Sequence, residues 1–143
     1  MELTSNQIGN LGEAKAITDF ISHGFDVYTQ FSGNNPFDFI AHRDSNLWIV
    51  EVKTTTKTSK RNSYEFHLQG TAYGPDRTTR HKLLNGNINI LACYIQSLDI
   101  MCYINTKNVH TVKSITFRES ETFTGGSAKQ RIISDHIDLE NFL

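Results

Sequence analysis

The fold is decided by residues 36–55, which read PFDFIAHRDSNLWIVEVKTT. Two apolar runs, residues 37–42 and 47–54, flank a short turn-forming segment, and the second run is rich in β-branched residues, so we predict two strands joined by a tight turn. Asp38 interrupts the first run, and Glu51 interrupts the second. A carboxylate within a buried strand is costly unless it is paired or binds a cation. These two acids are therefore candidates for a functional site.

Lys53 completes this group, because side chains alternate along a strand with a period of two and Lys53 shares a face with Glu51. The short turn makes the two strands neighbours, which brings both acids and the lysine together. Mg²⁺ prefers a few carboxylate oxygens together with water and substrate phosphate. A lysine beside the ion could orient an attacking water and stabilise developing negative charge. The group suits the hydrolysis of a phosphodiester bond.

A helix is predicted to precede these strands. Thr4 and Gln7 fit a capping box at its start, and Gly24 is placed to end it. Glu13 lies beside the apolar face, so we expect the helix to carry a carboxylate toward the sheet. The predicted apolar face consists of Ala14, Ala16, Ile17, Phe20 and Ile21, with Lys15, Thr18, Asp19 and Ser22 opposite.

The rest of the chain predicts more strands and short helices. The order helix, strands, helix, strands favours an α/β fold in which helices flank a mixed β-sheet. The length favours a single domain over residues 1–143. Further strands are predicted at residues 25–31, 63–69, 88–95, 100–104 and 112–117, helices or helical turns at 75–84, at 106–110 and after 135, and a glycine-containing loop at 122–127.

Residues 36–38, Pro-Phe-Asp, are followed after twelve residues by Glu-Val-Lys at 51–53, and this spacing resembles the signature of the PD-(D/E)XK nuclease superfamily. Residues 12–14, Gly-Glu-Ala, are similar to the segment around the first-helix glutamate of many members. The resemblance covers residues 5–69. It implies a restriction-endonuclease-like core and cleavage of double-stranded DNA that depends on Mg²⁺, with Mn²⁺ as a substitute.

By that resemblance, Asp38 and Glu51 are metal ligands, with the main-chain carbonyl of Val52 as a third. Lys53 is the catalytic lysine. Two further catalytic residues are implied: Glu13, which would hold a second ion or a water of the first, and Gln69, at the end of the next strand.

Each of these residues also has an ordinary structural interpretation. Glu51 and Lys53 could form an ion pair on an exposed edge strand. Asp38 could stabilise a turn after Pro36. Glu13 could extend into solvent from the surface of a short helix.

Two basic clusters follow the lysine-bearing strand and predict contacts to DNA phosphates on either side of the scissile bond. A solvated loop and a solvated helix face explain each cluster equally well when it is taken alone. The net charge of −1 means that any positive surface is local. The expected DNA-binding residues are Lys57, Lys60, Arg61, Arg77, Arg80 and Lys82.

Within the superfamily, 143 residues leave no room for a separate specificity domain. Residues 12–14, residues 36–38 and the sequence Ile-Asn-Thr at 104–106 look most like the group I intron homing endonuclease branch, with Holliday junction resolvases next. Small chains of this kind read duplex DNA as symmetric oligomers, so we expect a homodimer or homotetramer. The rival functions are a catalytically silent DNA-binding module of the same fold and a phosphodiesterase for another substrate.

Composition sets the remaining bounds. Hydrophobic residues make up 38% and charged residues 20%, as in ordinary globular proteins. The sequence contains no secretory signal and no membrane-spanning apolar run, so an intracellular (cytoplasmic) protein without a membrane partner is expected. Cys93 and Cys102 lie in the predicted hairpin formed by the strands at residues 88–95 and 100–104. We expect them to be buried, inert thiols that face each other.

Overall fold

The computed structural model describes residues 1–33, 35–56, 62–68, 88–109, 114–121 and 130–143. In these ranges one α-helix precedes eight strands, and three 3-10 turns follow β6 and β8. The helix and strands are α1 (Ser5–Ser22), β1 (Asp26–Thr29), β2 (Phe39–Arg43), β3 (Asn46–Thr55), β4 (Ser63–His67), β5 (Ile90–Ile95), β6 (Ile100–Asn105), β7 (Ser114–Arg118) and β8 (Arg131–Ile132), and the 3-10 turns are Thr106–Asn108, Ile133–Asp135 and Leu139–Phe142.

The helix α1 begins and ends as its sequence predicts. Thr4 is the N-cap, and its main-chain N–H donates to Gln7 Oε1 at 2.8 Å in a capping box. At the other end Gly24 has a φ of 80°. The N–H of Phe25 donates to the carbonyl of Phe20, and that of Gly24 to the carbonyl of Ile21, which together form a Schellman motif.

The buried face of α1 differs from the predicted one. Gly12, Ala16 and Phe20 are buried, whereas Ala14 and Ile21 are exposed. A glycine has no side chain and so adds nothing to a hydrophobic pattern, although residues at i, i+4 and i+8 share one face. Asp19, predicted to point away from the sheet, accepts a hydrogen bond from the buried Tyr103 hydroxyl.

The described residues form a five-stranded sheet in the order β1-β2-β3-β5-β6. The strands β3 and β5 pair in parallel, and the other neighbours are antiparallel, so the predicted mixed sheet is confirmed. Asp44 and Ser45 join β2 to β3 with φ values of 52° and 64°. Positive φ at both central residues defines a type I′ turn, which suits the twist of a two-residue hairpin. The predicted tight turn is therefore confirmed.

The two faces of this sheet are covered differently. On one face, the Phe20 ring of α1 packs edge-on against Phe39 and Tyr103, at centroid distances of 5.2 and 6.0 Å. Val50 and Val52 of β3 belong to the same buried cluster. On the opposite face, a second buried cluster joins β5 and β6 to a second sheet. The α/β class is confirmed, with strands rather than a second α-helix on that face in the described ranges.

The second sheet has the order β4-β7-β8 in the described residues. Tyr64, Phe66 and Leu68 are buried, and the alternation predicted for β4 is therefore confirmed. The strand β7, predicted at residues 112–117, is not an edge strand, because β8 pairs with it in parallel on its other side. A strand of two residues is too short to produce a periodic pattern.

The strands β5 and β6 form the predicted hairpin, and all six residues of β5 are buried. Cys93 and Cys102 are register partners, both free and both fully buried. Burial raises the pKa of the Cys102 thiol to about 12 and also raises that of Cys93. Thiols that stay protonated are weak nucleophiles, in agreement with the predicted inert pair.

The C-terminal segment packs against the first sheet. Leu139 is buried, and Asn105 Nδ2 donates to the Phe142 carbonyl at 3.0 Å. Arg43, at the end of β2, donates to both carboxylate oxygens of Glu140, at 2.6 and 2.9 Å. The predicted helical turn after Asp135 corresponds to the 3-10 turn Leu139–Phe142.

The helix predicted at residues 75–84 and the loop predicted at 122–127 lie outside the described residues. In the part of the chain that is described, no helix is both long enough and apolar enough to cross a membrane.

Candidate active site

The peptide groups of β3 alternate between two neighbouring strands. The carbonyl of Ile49 accepts from the Asn89 N–H at 2.8 Å, which shows that odd-numbered residues face β5. The carbonyl of Val50 accepts from the Asp38 N–H at 2.9 Å, so even-numbered residues face β2. The β2–β3 ladder ends at the pair Phe39 and Val50. Beyond that pair, the edge of β3 is lined by Asp38 instead of a regular strand partner.

Asp38 is held against this edge by its side chain. The Val52 N–H donates to Asp38 Oδ2 at 2.6 Å. In an extended strand the N–H and C=O of one residue point to the same edge, so the Val52 carbonyl faces the side on which Asp38 lies. A hydrogen bond to a residue 14 positions away is not local turn chemistry. The turn interpretation of Asp38 is therefore wrong.

Glu51 and Lys53 lie side by side on β3. Lys53 Nζ is 2.7 Å from Glu51 Oε1, and only 6% of Glu51 is exposed. Their register partners on β5, Leu91 and Cys93, belong to the cluster on the second-sheet face. The ion pair is therefore present, but the interpretation as an exposed edge strand is wrong, because Glu51 is buried and β3 is an interior strand of the first sheet.

Glu13 approaches the same acids from α1. Partial burial raises the pKa of Glu13, and the negative charges of Asp38 and Glu51 raise it further. Glu13 also lines the same cleft as Lys53, so its carboxylate is not simply extended into solvent. The structure thus brings together four predicted site residues from three elements: Glu13 from α1, Asp38 from the start of β2, and Glu51 and Lys53 from β3.

An open cleft of about 580 Å³ lies between α1, β3 and β4. It is lined by the first turns of α1, by residues 52–56 at and just after the end of β3, and by β4, and Glu13 and Lys53 both reach it. Glu65 and His67 of β4 also line the cleft and were not among the predicted site residues. The signal was present in the sequence of β4, where Glu65 and His67 alternate with the apolar Tyr64, Phe66 and Leu68. Ser5 also lines the cleft, and no pattern in the sequence pointed to it.

The charges around the cleft favour a cation. Three carboxylates (Glu13, Asp38 and Glu51) meet one lysine, and like charges at close range disfavour ionisation unless a cation compensates them. The described residues contain no group of three or more His, Cys, Asp or Glu side chains arranged to hold a metal ion on their own. Mg²⁺, however, uses only one or two carboxylates and retains several waters. Two carboxylates and the Val52 carbonyl are therefore a donor set of the right chemistry.

The other predicted site residues lie outside the described ranges. They are the catalytic candidate Gln69 and the six DNA-binding candidates Lys57, Lys60, Arg61, Arg77, Arg80 and Lys82.

Comparisons with known proteins agree with this geometry. The sequence model of a family described as PD-(D/E)XK endonuclease matches residues 3–136. No curated protein sequence matches the chain. Among solved structures, the bacterial homing endonuclease I-Ssp6803I is similar, with a TM-score of 0.67 and 14% sequence identity over 86% of this chain and 81% of that one. At this identity the likeness demonstrates a common fold.

Proposed function

We propose, from the premise that this chain belongs to the PD-(D/E)XK endonuclease family, that it is a nuclease which needs a divalent metal ion to cut double-stranded DNA. The observation that supports the metal dependence is the buried carboxylate of Glu51, which contacts Lys53. It lies next to Val52, whose N–H donates to the Asp38 carboxylate. A silent DNA-binding module has no use for three acids crowded together, one of them buried, because such acids are costly unless they are paired or bind a cation.

Asp38 and Glu51 would hold the ion, with the Val52 carbonyl as a third ligand. When bound, Mg²⁺, or Mn²⁺ in its place, would polarise the phosphate and lower the pKa of the attacking water. The chain itself fixes the ligands, because the Val52 N–H holds the Asp38 carboxylate in place at 2.6 Å. A ligand positioned before the substrate arrives does not need to reorganise during the reaction.

Lys53 has two roles in this proposal. Its Nζ contacts Glu51 and balances part of the negative charge of the buried acids. Its position in the cleft lets the same ammonium donate to the attacking water or to a phosphate oxygen, where negative charge develops. Glu13 would bind a water of the ion or a second ion, and Gln69 is proposed as a further catalytic residue.

The substrate is proposed to be a specific DNA site, cut by a homing-type enzyme. The fold shared with a protein described as a bacterial homing endonuclease supports this choice. The proposed contacts to phosphates come from Lys57, Lys60, Arg61, Arg77, Arg80 and Lys82. One nuclease domain over residues 1–143 is too small to cover a long site, so a homodimer or homotetramer is proposed.

Cleavage of a supercoiled plasmid and of a four-way junction tests the activity. With Mg²⁺ we expect cutting that EDTA abolishes, and we expect Lys53→Ala to slow it by about 10²-fold or more. Lys107→Ala is the matched control, because Lys107 is an exposed lysine in the 3-10 turn Thr106–Asn108. Preference for the junction would replace the homing-type substrate with a resolvase-type one. Cutting that persists in EDTA would contradict the metal dependence.

A thermal shift measures the ion without activity. Ligands that bind only the folded state stabilise it, so we expect Mg²⁺ to raise the melting temperature. Asp38→Asn and Glu51→Gln should remove that rise, whereas Asp135→Asn, an exposed acid in the 3-10 turn Ile133–Asp135, should keep it. Equal shifts in all four proteins would place the ion elsewhere.

A further inference from the structure

The helix α1 lies directly against the first sheet at Gly12. A Cβ atom built on Gly12 would overlap Thr54 Oγ1, and it would lie 3.4 Å from both Thr54 Cβ and Tyr94 Cδ1. Gly9, one turn earlier, would meet nothing within 4 Å. A side chain at position 12 would therefore force Thr54 or the helix to move, whereas one at position 9 would not.

Other contacts hold α1 against the sheet further along its length. Lys15 Nζ lies 2.5 Å from Asp99 Oδ1, and the Tyr94 hydroxyl donates to the same oxygen at 2.7 Å. Asp19, one turn later, accepts from the Tyr103 hydroxyl. Because these contacts fix α1 from Lys15 onward, a larger residue at position 12 would displace mainly the part of the helix before Lys15, which includes Glu13.

Glu13 follows Gly12 directly and lines the cleft together with Val52 and Lys53. Its side chain leaves α1 at the point where the helix touches Thr54 of β3. The distance between helix and strand at Gly12 therefore sets how closely the Glu13 carboxylate approaches the acids at the start of β2 and on β3. Small displacements of a group around a metal site have large effects, and outer partners alter metal affinity by about 10–100-fold.

We propose that Gly12 is a positioning residue of the active site, which lets α1 lie directly on Thr54 and so holds Glu13 at the metal-binding edge of β3. Gly12 touches no reacting atom and acts only through Glu13. The proposal rests on the proposed function, since it assumes that a divalent ion binds at Asp38 and Glu51.

The test compares the Mg²⁺ concentration that gives half of the maximal thermal shift in a set of variants. Gly12→Ala should raise this concentration by about tenfold. Glu13→Gln alone should raise the Mg²⁺ concentration by a similar factor. In a protein that already carries Gly12→Ala, Glu13→Gln should raise it by less than about twofold, because residues that act through one another have non-additive effects. Gly9→Ala controls for helix propensity, and a higher melting temperature is expected from it.

A steric rescue separates positioning from general damage. Thr54→Ala removes the atom that a Cβ at position 12 would overlap and leaves the 3.4 Å contact to Thr54 Cβ. Gly12→Ala combined with Thr54→Ala should therefore respond to Mg²⁺ within about twofold of Thr54→Ala alone. If Gly12→Ala does not fold, this double variant carries the test.

Three results would overturn the proposal. The first is a folded Gly12→Ala protein that responds to Mg²⁺ like the wild type. The second is that the effects of Gly12→Ala and Glu13→Gln on the Mg²⁺ requirement are fully additive. The third is that the folded Gly12→Ala, Thr54→Ala double variant still needs about tenfold more Mg²⁺ than Thr54→Ala. Failure of the proposed function looks different, because the wild-type protein would then show no Mg²⁺ shift. If Mg²⁺ shifts the wild-type protein, Asp38→Asn abolishes that shift, and the Gly12 variants respond to Mg²⁺ like the wild type, only the role of Gly12 is refuted.

Discussion

At the scale of the residue, the site depends on acids placed where apolar side chains would otherwise lie. Asp38 and Glu51 were predictable because each interrupts an apolar run, and such an interruption needs a physical reason. Gly12 was not predictable, because its role is the absence of a side chain beside Thr54. Such a contact exists only once helix and strand are packed together.

The position of Glu13 has a consequence for stability. Burial and the charges of Asp38 and Glu51 raise its pKa above the ordinary value of 4.5. A raised carboxylate pKa means that the ionised form destabilises the folded state at pH values above that pKa. In EDTA at pH 7.5, about three pH units above the ordinary value, we therefore expect Glu13→Gln to raise the melting temperature by about 1–3 °C.

The sign of this effect can be checked with pH. Below the ordinary value of 4.5 the carboxyl group is protonated in both the folded and the unfolded chain, so Glu13→Gln and wild type should converge. Calorimetric melting from pH 4 to 8 measures the difference, a range that starts near the ordinary value of a glutamate. A Glu13→Gln protein that is less stable than wild type at neutral pH in EDTA would contradict the crowding of the three acids.

At the scale of the element, local patterns were read correctly where they are periodic or have a capping motif. The capping box at Thr4, the turn at Asp44-Ser45 and the alternation of β4 all appear in the structure. The second sheet was not predicted, because its assembly depends on the pairing of β4 with β7, some fifty residues later. Pairings over such distances leave no signal in a local window of sequence.

The link between Arg43 and Glu140 is another long-range feature and can be tested. The pair holds the C-terminal 3-10 turn to the end of β2, and the hydrogen bonds from Arg43 lower the pKa of Glu140. A lowered carboxylate pKa stabilises the fold above the ordinary value, and this contribution is lost as the pH falls through the lowered one. Glu140→Gln should therefore lower the melting temperature slightly at pH 7, by about 1–2 °C for an exposed pair.

This difference should shrink below about pH 4.5, the ordinary range for glutamate. Arg43→Lys keeps the charge but cannot donate two parallel hydrogen bonds, so it should show an intermediate loss. Glu121→Gln serves as the control, because Glu121 is an exposed glutamate. A melting temperature for Glu140→Gln equal to that of wild type at every pH would mean that the pair does not stabilise the docked segment.

At the scale of the whole molecule, charge distribution matters more than net charge. The chain carries 14 basic and 15 acidic residues, so DNA must meet a local basic surface. The measurement uses Ca²⁺, an oxygen-preferring cation, in place of Mg²⁺. We expect the logarithm of the association constant for duplex DNA to fall with the logarithm of the salt concentration, with a slope of about 0.9 per phosphate contact. Arg61→Ala should reduce that slope by about one.

The control for this measurement is Lys107→Ala, which should leave the slope unchanged. Fluorescence anisotropy of a labelled duplex at several salt concentrations gives both slopes. An unchanged slope for Arg61→Ala would remove Arg61 from the DNA contacts and leave the other basic candidates to be tested in the same way.

The type I′ turn at Asp44-Ser45 also limits how sequences of this architecture can diverge. The turn sets the register of β2 on β3, and a shift of one residue moves every following side chain to the opposite face. Asp38 and Glu51 keep their positions relative to the core only if each strand lengthens by a multiple of two residues, the period of side-chain alternation in a strand. For descendants that retain this turn, the interval between the aspartate and the glutamate should therefore change in steps of roughly four residues, two in each strand. The twelve residues that separate the two motifs are thus tied to the register of this hairpin and are not a neutral spacer.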